Sequence, residues 1–351
     1  MNNHKYTPEQ KQMLEQKRQA MLQRQKKKKL RNLLITLQVI ILITLSVVIA
    51  CLVFIPGNKT LADANIENPG TSDCVKDVAV INKADYSFMI KQMYNEINSK
   101  NAILIDLASG EILAQKFPDE KIFPASITKI MTTIVALEHY EDLEIAIEMP
   151  DDMYTYLIEQ NASVAGFLAG ERVKIIDLLY GVMLPSGADA CLSLARSIAG
   201  TEQAFAKKMT EKAKEIGAVN TNFTNSTGLH DPNHYTTVKD LSLILTYALK
   251  NQTFREIFTT ETHTTSATNK HKYGITLNST TFKAFSRAGL ENRFVKGGKT
   301  GFTGEACLCL ASLGQKNGRE YILVTVGAGS SNSSKGVQHV VDADFIYDKY
   351  A

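Results

Sequence analysis

The longest uninterrupted apolar run in the chain, Leu33 to Ile55, holds 23 residues and no charge, with Thr36, Gln38, Thr44 and Ser46 as its polar exceptions. A helix needs about 20 such residues to cross a bilayer, so this run predicts a transmembrane span. From Gly57 to about Ser87 the apolar positions lose any period while Gly, Asn, Pro and Ser accumulate, which reads as a stalk. Pattern returns near Met89 with a helix-like stretch to Ile97. Ala102–Asp106 and Ile112–Gln115 then predict two short strands around the turn Ala108-Ser109-Gly110. Ile127, Ile130, Met131, Ile134, Val135 and Leu137 are apolar nearly all round a helix, which predicts burial on every side. Helices are predicted over 175–184, 188–199, 202–216 and 238–249. After Gly298 the pattern returns to strands, 306–313 and 321–327, flanking Asn317-Gly318, the strongest hairpin signal in the chain. A helix over 337–350 closes the sequence.

Strands at both ends and helices between them predict an α/β (α+β), two-lobed fold. Its mainly antiparallel sheet is built from both chain ends and flanked by helices, and an inserted helical lobe leaves a cleft against it. The expected organisation is a basic tail over 1–32, the transmembrane helix over 33–55, a linker over 56–88 and a folded domain over 89–351.

Charge fixes the expected orientation. Residues 1–32 carry ten Lys or Arg against two Glu, ending in Lys26-Lys27-Lys28-Lys29-Leu30-Arg31. Basic flanks stay on the cytoplasmic side, so the amino terminus is expected inside and everything after Pro56 outside. A cleaved signal, or a lipid-modified Cys51, would not need the apolar residues that continue through Leu52, Val53, Phe54 and Ile55, so a retained anchor in the lipid bilayer is expected. The tail's net +8 exceeds the formal +3 of the whole chain, so the remainder is mildly acidic. Nucleic acid is therefore not an expected partner, and the tetralysine suits anionic lipid heads. Cys74, Cys191, Cys307 and Cys309 are too few to imply a disulfide framework in an exported protein of this size. Cys307 and Cys309, two apart on a strand, share a face and read as small buried hydrophobes.

The chemistry lies in Pro124-Ala-Ser-Ile-Thr-Lys129 and Lys299-Thr300-Gly301. A serine hydroxyl is a weak nucleophile without a base, and a lysine of lowered pKa can act as one. Ser126 and Lys129, three apart, fall on one face of a helix. Apolar surroundings disfavour the charged form of Lys129. Pro124 suits a helix start, where free backbone N–H groups can stabilise an oxyanion. Ser126 and Lys129 are the only Ser-x-x-Lys in the sequence.

With Leu184-Pro-Ser-Gly-Ala-Asp-Ala190, Asn225-Ser-Thr-Gly-Leu-His-Asp-Pro-Asn-His-Tyr-Thr-Thr237 and Gly298-Lys-Thr-Gly-Phe-Thr-Gly304, the chain from about Asn101 resembles the serine D-alanyl-D-alanine carboxypeptidases. These are the low-molecular-mass penicillin-binding proteins, which carry Ser-x-x-Lys and Lys-Thr-Gly motifs. The resemblance implies an acyl-enzyme peptidase that removes the terminal D-alanine of peptidoglycan stem peptides and is acylated by β-lactams, with no cofactor and no metal. It implies Ser126 as nucleophile, Lys129 as its base and Ser186 as a proton relay across the cleft. Lys299 would charge the cleft wall, Thr300 would hold the substrate carboxylate, and the backbone N–H groups of Ser126 and Phe302 would form the oxyanion hole. Gly301 would leave the strand edge open to the substrate. Location in a bacterial cell membrane, single-pass, with the catalytic domain outside, follows from the same resemblance and the anchor.

Two departures stand out. The family's Ser-x-Asn is Ser186-Gly187-Ala188 here, so its amide is missing, with Asn161 and Asp189 as candidate substitutes; Cys307 replaces a usual glycine. A catalytically weak wall-binding homologue and a β-lactamase are the alternatives. Glu159 and Glu171 are the candidate deacylating bases for the latter, although Glu171 reads as part of a solvated turn. His230 and His234 have a spacing that a metal could use, but the loop around them reads as a structural turn.

Overall fold

The computed structural model describes residues 91–330 and 336–351. The expected tail, transmembrane helix and linker, with Cys51 and Cys74, lie outside these residues. Among the described residues no helix is long and apolar enough to cross a membrane.

The chain enters on a short strand, β1 (Lys91–Gln92), where the pattern predicts a helix to Ile97. The helix-like spacing is used differently: Met93 and Ile97 drop from an extended segment and turns into the same apolar cluster. β2 (Asn101–Asp106) and β3 (Ile112–Lys116) follow as predicted. A 3-10 turn, Ala125–Thr128, leads into α1 (Lys129–His139). The helical lobe continues through β4 (Ala146–Glu148), α2 (Met153–Glu159), β5 (Arg172–Lys174), α3 (Ile175–Met183), α4 (Ala188–Ala199), α5 (Glu202–Ile216), α6 (Val238–Ala248) and α7 (Gln252–Thr259). A small hairpin, β6 (Thr262–Thr264) with β7 (Thr276–Asn278), precedes α8 (Thr280–Ala288). The chain closes with β8 (Val295–Thr303), β9 (Cys307–Lys316), β10 (Arg319–Ala328) and α9 (Gln338–Tyr350).

Long helices begin and end where side chains satisfy their free backbone groups. Thr201 accepts from Ala204 N at 3.1 Å, Thr237 from Asp240 N at 3.0 Å and Asn251 from Phe254 N at 3.0 Å. Gly217 ends α5 in the left-handed region, φ +95°, as a helix C-cap requires.

One sheet joins the chain ends in the order β1-β3-β2-β10-β9-β8, antiparallel except for β1 with β3. Asn317 and Gly318, both at positive φ, make the tight β9–β10 turn. Side chains alternate across the sheet. Ile103, Ile105, Ile322 and Val324 join the larger core with the helical lobe, whereas Ala102, Leu104, Tyr321 and Leu323 face the cluster that includes residues of α8 and α9. Both faces are thus covered, which explains why β2 reads as a continuous apolar run rather than an alternating one.

α1 runs through the lobe against α3, α4, α5, α6 and α7, and every residue from Lys129 to Ala136 is buried. At the other end of the sheet β8 has no outer neighbour among the described residues, and this strand edge packs against the Ala125–Thr128 turn.

The carboxy-terminal helix is seated by close fit. The wholly buried Tyr347 ring lies over Gly314 of β9, its hydroxyl 3.0 Å from Ser312 Oγ. A Cβ at Gly314 would stand 2.3 Å from the ring. Gly314→Ala is therefore expected to destabilise the domain by roughly 1–3 kcal/mol, seen as a lower urea midpoint at unchanged slope. An unchanged midpoint would show that the ring yields freely.

Candidate active site

The turn that carries Ser126 is held from behind by the segment Asn225–Gly228. Asn225 Oδ1 accepts from Thr227 N at 3.2 Å and Gly228 N at 2.7 Å, closing a tight side-chain turn. That turn presents the Thr227 and Ser226 carbonyls to α1: Lys129 Nζ donates to Thr227 O at 2.5 Å, and Thr132 Oγ1 to Ser226 O at 2.6 Å. Glu202, in the first turn of α5, fixes Ser226 through both N and Oγ, at 2.9 and 2.7 Å. Gly228, φ +79°, lies so close to Ala125 that a Cβ would meet the Ala125 carbonyl oxygen at 1.9 Å. Ala125 itself sits at φ +47°, a strained conformation for alanine.

Within this frame Lys129 Nζ stands 3.1 Å from Ser126 Oγ. The i,i+3 relation survives, although Ser126 lies in the 3-10 turn and only Lys129 opens the α-helix. Burial drives the Lys129 pKa below its ordinary value, against the weaker opposing fields of Cys191, Asp189 and Glu202. An uncharged amine keeps one N–H for Thr227 O and a lone pair for the Ser126 hydroxyl hydrogen, so this contact can run as base toward nucleophile.

Across the cleft Lys299, fully buried, donates to Ser186 Oγ at 2.9 Å and to Thr300 O at 2.8 Å. Its pKa is held well below the ordinary lysine value by burial first and by the Lys129 charge second. Ser186 adopts φ +66°, outside the usual range of a serine. Lys299 and Thr300 lie in the middle of β8, paired with Ala311 and Leu310 of β9.

These groups meet at a cleft of about 390 Å³, whose lining includes Ser126, Ser186, Thr300, Gly301 and Phe302. Its remaining walls include residues that the sequence alone does not flag, notably Thr280 and Arg287 from α8 and His339 from α9. The α8 stretch is short and half polar, and although its buried positions Thr281, Ala284 and Phe285 recur at helical spacing, nothing local ties that helix to the cleft. Burial, and next the Arg287 charge, push the His339 imidazole down to about 4, which leaves it uncharged at neutral pH.

Several expectations change. Gly301 is required less by an open strand edge than by the Ser126 turn: a Cβ there would stand 3.0 Å from Ser126 N and 3.1 Å from Ala125 Cβ. Glu171 is no solvated turn residue. Its carboxylate is fully buried and takes bonds from Leu168 N at 2.7 Å, Thr268 Oγ1 at 2.6 Å and His271 Nδ1 at 2.8 Å. Asp189 cannot replace the missing amide either, since its carboxylate is spent on Ala165, Gly166 and Phe167 N–H groups. That brace holds the loop from which Asn161 and Ser163 reach the cleft, while Ala188 is buried and its N–H donates to Ser163 O at 2.8 Å. Cys307 and Cys309 are both buried free thiols, as their spacing suggests.

The two histidines diverge in role. His234 Nδ1 accepts from Thr224 N at 3.1 Å, which leaves the ring hydrogen on Nε2, 2.8 Å from Thr128 Oγ1. Burial lowers its pKa to about 4, and the neutral ring props the turn that carries Ser126. His230 packs edge-on to Phe123. Among the described residues no group of three or more His, Cys, Asp or Glu side chains could hold a metal ion.

Residues 88–330 match the family Peptidase S11, D-alanyl-D-alanine carboxypeptidase. The D-alanyl-D-alanine carboxypeptidase DacF of Bacillus subtilis is 34% identical over 262 residues, which cover 72% of this chain and 63% of that protein. The D-alanyl-D-alanine carboxypeptidase of Streptomyces sp. strain K15 is 32% identical over 232 residues, covering 64% of this chain and 78% of its own length. Among solved structures, the Streptomyces K15 DD-transpeptidase superposes with a TM-score of 0.63 at 29% identity, over 72% of this chain and 96% of that one.

The buried amine has a measurable thermodynamic signature. Between its lowered folded pKa and the ordinary lysine value of 10.5, the unfolded chain binds more protons at Lys129 than the folded one, so stability rises with pH in that window. Lys129→Met is expected to fold and to rise less steeply with pH over the same window in urea titrations. An identical slope would mean that Lys129 is charged in the folded protein.

Proposed function

The chain belongs to the D-alanyl-D-alanine carboxypeptidase family Peptidase S11, and on that premise we propose that it removes the terminal D-alanine of peptidoglycan stem peptides through an acyl-enzyme on Ser126. The observation that carries the reading is the 3.1 Å contact between Ser126 Oγ and a buried Lys129 amine of lowered pKa.

In this reading Lys129 takes the hydroxyl proton as Ser126 Oγ attacks the carbonyl of the penultimate D-alanine. Charge developing on the carbonyl oxygen is stabilised by the N–H groups of Ser126 and Phe302, each such donor contributing on the order of 3 kcal/mol. Ser186, linked to Lys299 at 2.9 Å, returns a proton to the departing D-alanine nitrogen. Water then hydrolyses the ester to free the shortened peptide and restore Ser126. The wall that carries Thr300 and the Arg287 guanidinium receives the terminal carboxylate. A β-lactam amide occupies the same position as the scissile bond, so Ser126 is acylated by penicillin and released slowly. Glu171 and Glu159 are not among the residues lining the cleft, which disfavours a β-lactamase that deacylates through either.

The working location of the enzyme is the outer side of a bacterial membrane, with the 33–55 segment as anchor and residues 1–32 inside. Support comes from the apolar length and basic flank of the sequence. The matched region covers 63% of the Bacillus subtilis relative.

Full-length protein incubated with a D-Ala-D-Ala peptide is expected to release D-alanine, and labelled penicillin is expected to remain bound. Ser126→Ala is expected to abolish labelling and reduce release by about 10⁴-fold or more. Release that persists in Ser126→Ala, or rapid turnover of the penicillin, would contradict the proposal.

A further inference from the structure

Thr300 meets a second hydroxyl. Its Oγ1 donates to Thr280 Oγ1 at 2.7 Å, and both side chains line the cleft. Two hydroxyls that share one hydrogen leave one hydrogen uncommitted. In this arrangement it belongs to Thr280.

We propose that Thr280 is a substrate-binding residue whose hydroxyl donates to the terminal carboxylate of the substrate, with Thr300 fixing its rotor. The inference rests on the reading of the cleft given above.

The lysine beside Thr300 does not fill this role directly. Lys299 is fully buried and directs its amine to Ser186 Oγ and Thr300 O, so it acts on a ligand through those groups. Thr280, by contrast, opens α8 at the cleft wall, and Arg287 follows two turns along the same helix face. A hydroxyl and a guanidinium on one wall form a donor pair of the kind a carboxylate needs.

The backbone makes the placement firm. Thr280 N donates to Leu184 O at 2.9 Å, on the segment that leads into Ser186, and Ser279 N donates to Glu261 O at 2.8 Å. Thr280 therefore touches the second motif through its main chain and the third through its side chain. A staple between α8 and β8 would use the same Thr280–Thr300 bond and leave no hydrogen aimed at a ligand, and this alternative is separable by experiment.

The test compares wild type, Thr280→Val and Thr280→Ser as full chains, with rates normalised to penicillin-labelled sites so that misfolded protein drops out. Two quantities are read: kcat/KM for a D-Ala-D-Ala peptide, and the inhibition constant of the same peptide with its carboxyl group amidated. A lost hydrogen bond to a charged group lowers kcat/KM by roughly 10- to 100-fold in Thr280→Val. Thr280→Ser stays within about threefold of wild type, because it keeps the hydroxyl. The amide's inhibition constant is expected to be unchanged. An unaltered kcat/KM in Thr280→Val, or an equal loss for acid and amide, overturns the inference while D-alanine release by wild type keeps the wider reading. No release by wild type sinks both.

Discussion

Lys129 Nζ is enclosed by a hydroxyl and a carbonyl, and the helices around α1 exclude water from it. Burial disfavours the charged form of this primary amine and is the largest influence on its pKa, which the nearby acidic groups oppose only in part. Much of the surrounding construction follows from that constraint. α1 must be apolar on all sides, so it occupies the middle of the lobe rather than its surface. The Thr227 carbonyl has to reach the amine, which brings in Asn225 to fold the turn and Glu202 to hold it. Only glycine fits at 228, where the turn presses on Ala125. His234, under Thr128, is held neutral by its own burial first, with the fields of His230 and Lys129 acting in the same direction.

A second buried lysine makes the site a coupled pair. The charge on Lys129 lowers the pKa of Lys299 beyond what burial alone does. Each amine is tied to its own serine, and both serines line one cleft. Strand β8 delivers Lys299, Thr300 and Gly301 together. Because it is an edge strand among the described residues, it can approach the Ser126 turn, and the missing side chain at 301 permits the contact. Burying two lysines costs stability, and the continuous core on both faces of the sheet offsets it.

Much of this was readable before the structure. Helices α3 to α6 carry strong periodicity, and α5 and α6 also carry threonine caps, so their limits fall within about two residues of expectation. The β9–β10 hairpin announced itself through Asn317-Gly318. The contact between Ser126 and Lys129 was legible because it is local. The stretch 89–97 misled because Met93 and Ile97 satisfy the same burial from a turn as from a helix. Glu171 misled because its partners, Thr268 and His271, are about a hundred positions away and invisible to local pattern. Thr280 and Arg287 went unnoticed for the same reason, since only tertiary packing brings α8 to the cleft.

The protonation state of one amine decides the matter most directly. In protein carrying ¹⁵N-lysine, the Lys129 Nζ resonance can be assigned by its loss in Lys129→Met and followed with pH. It is expected to titrate below the ordinary lysine value of 10.5, with the uncharged amine present at the pH where Ser126 acylates fastest. A resonance that stays in its cationic position up to that value would contradict the account.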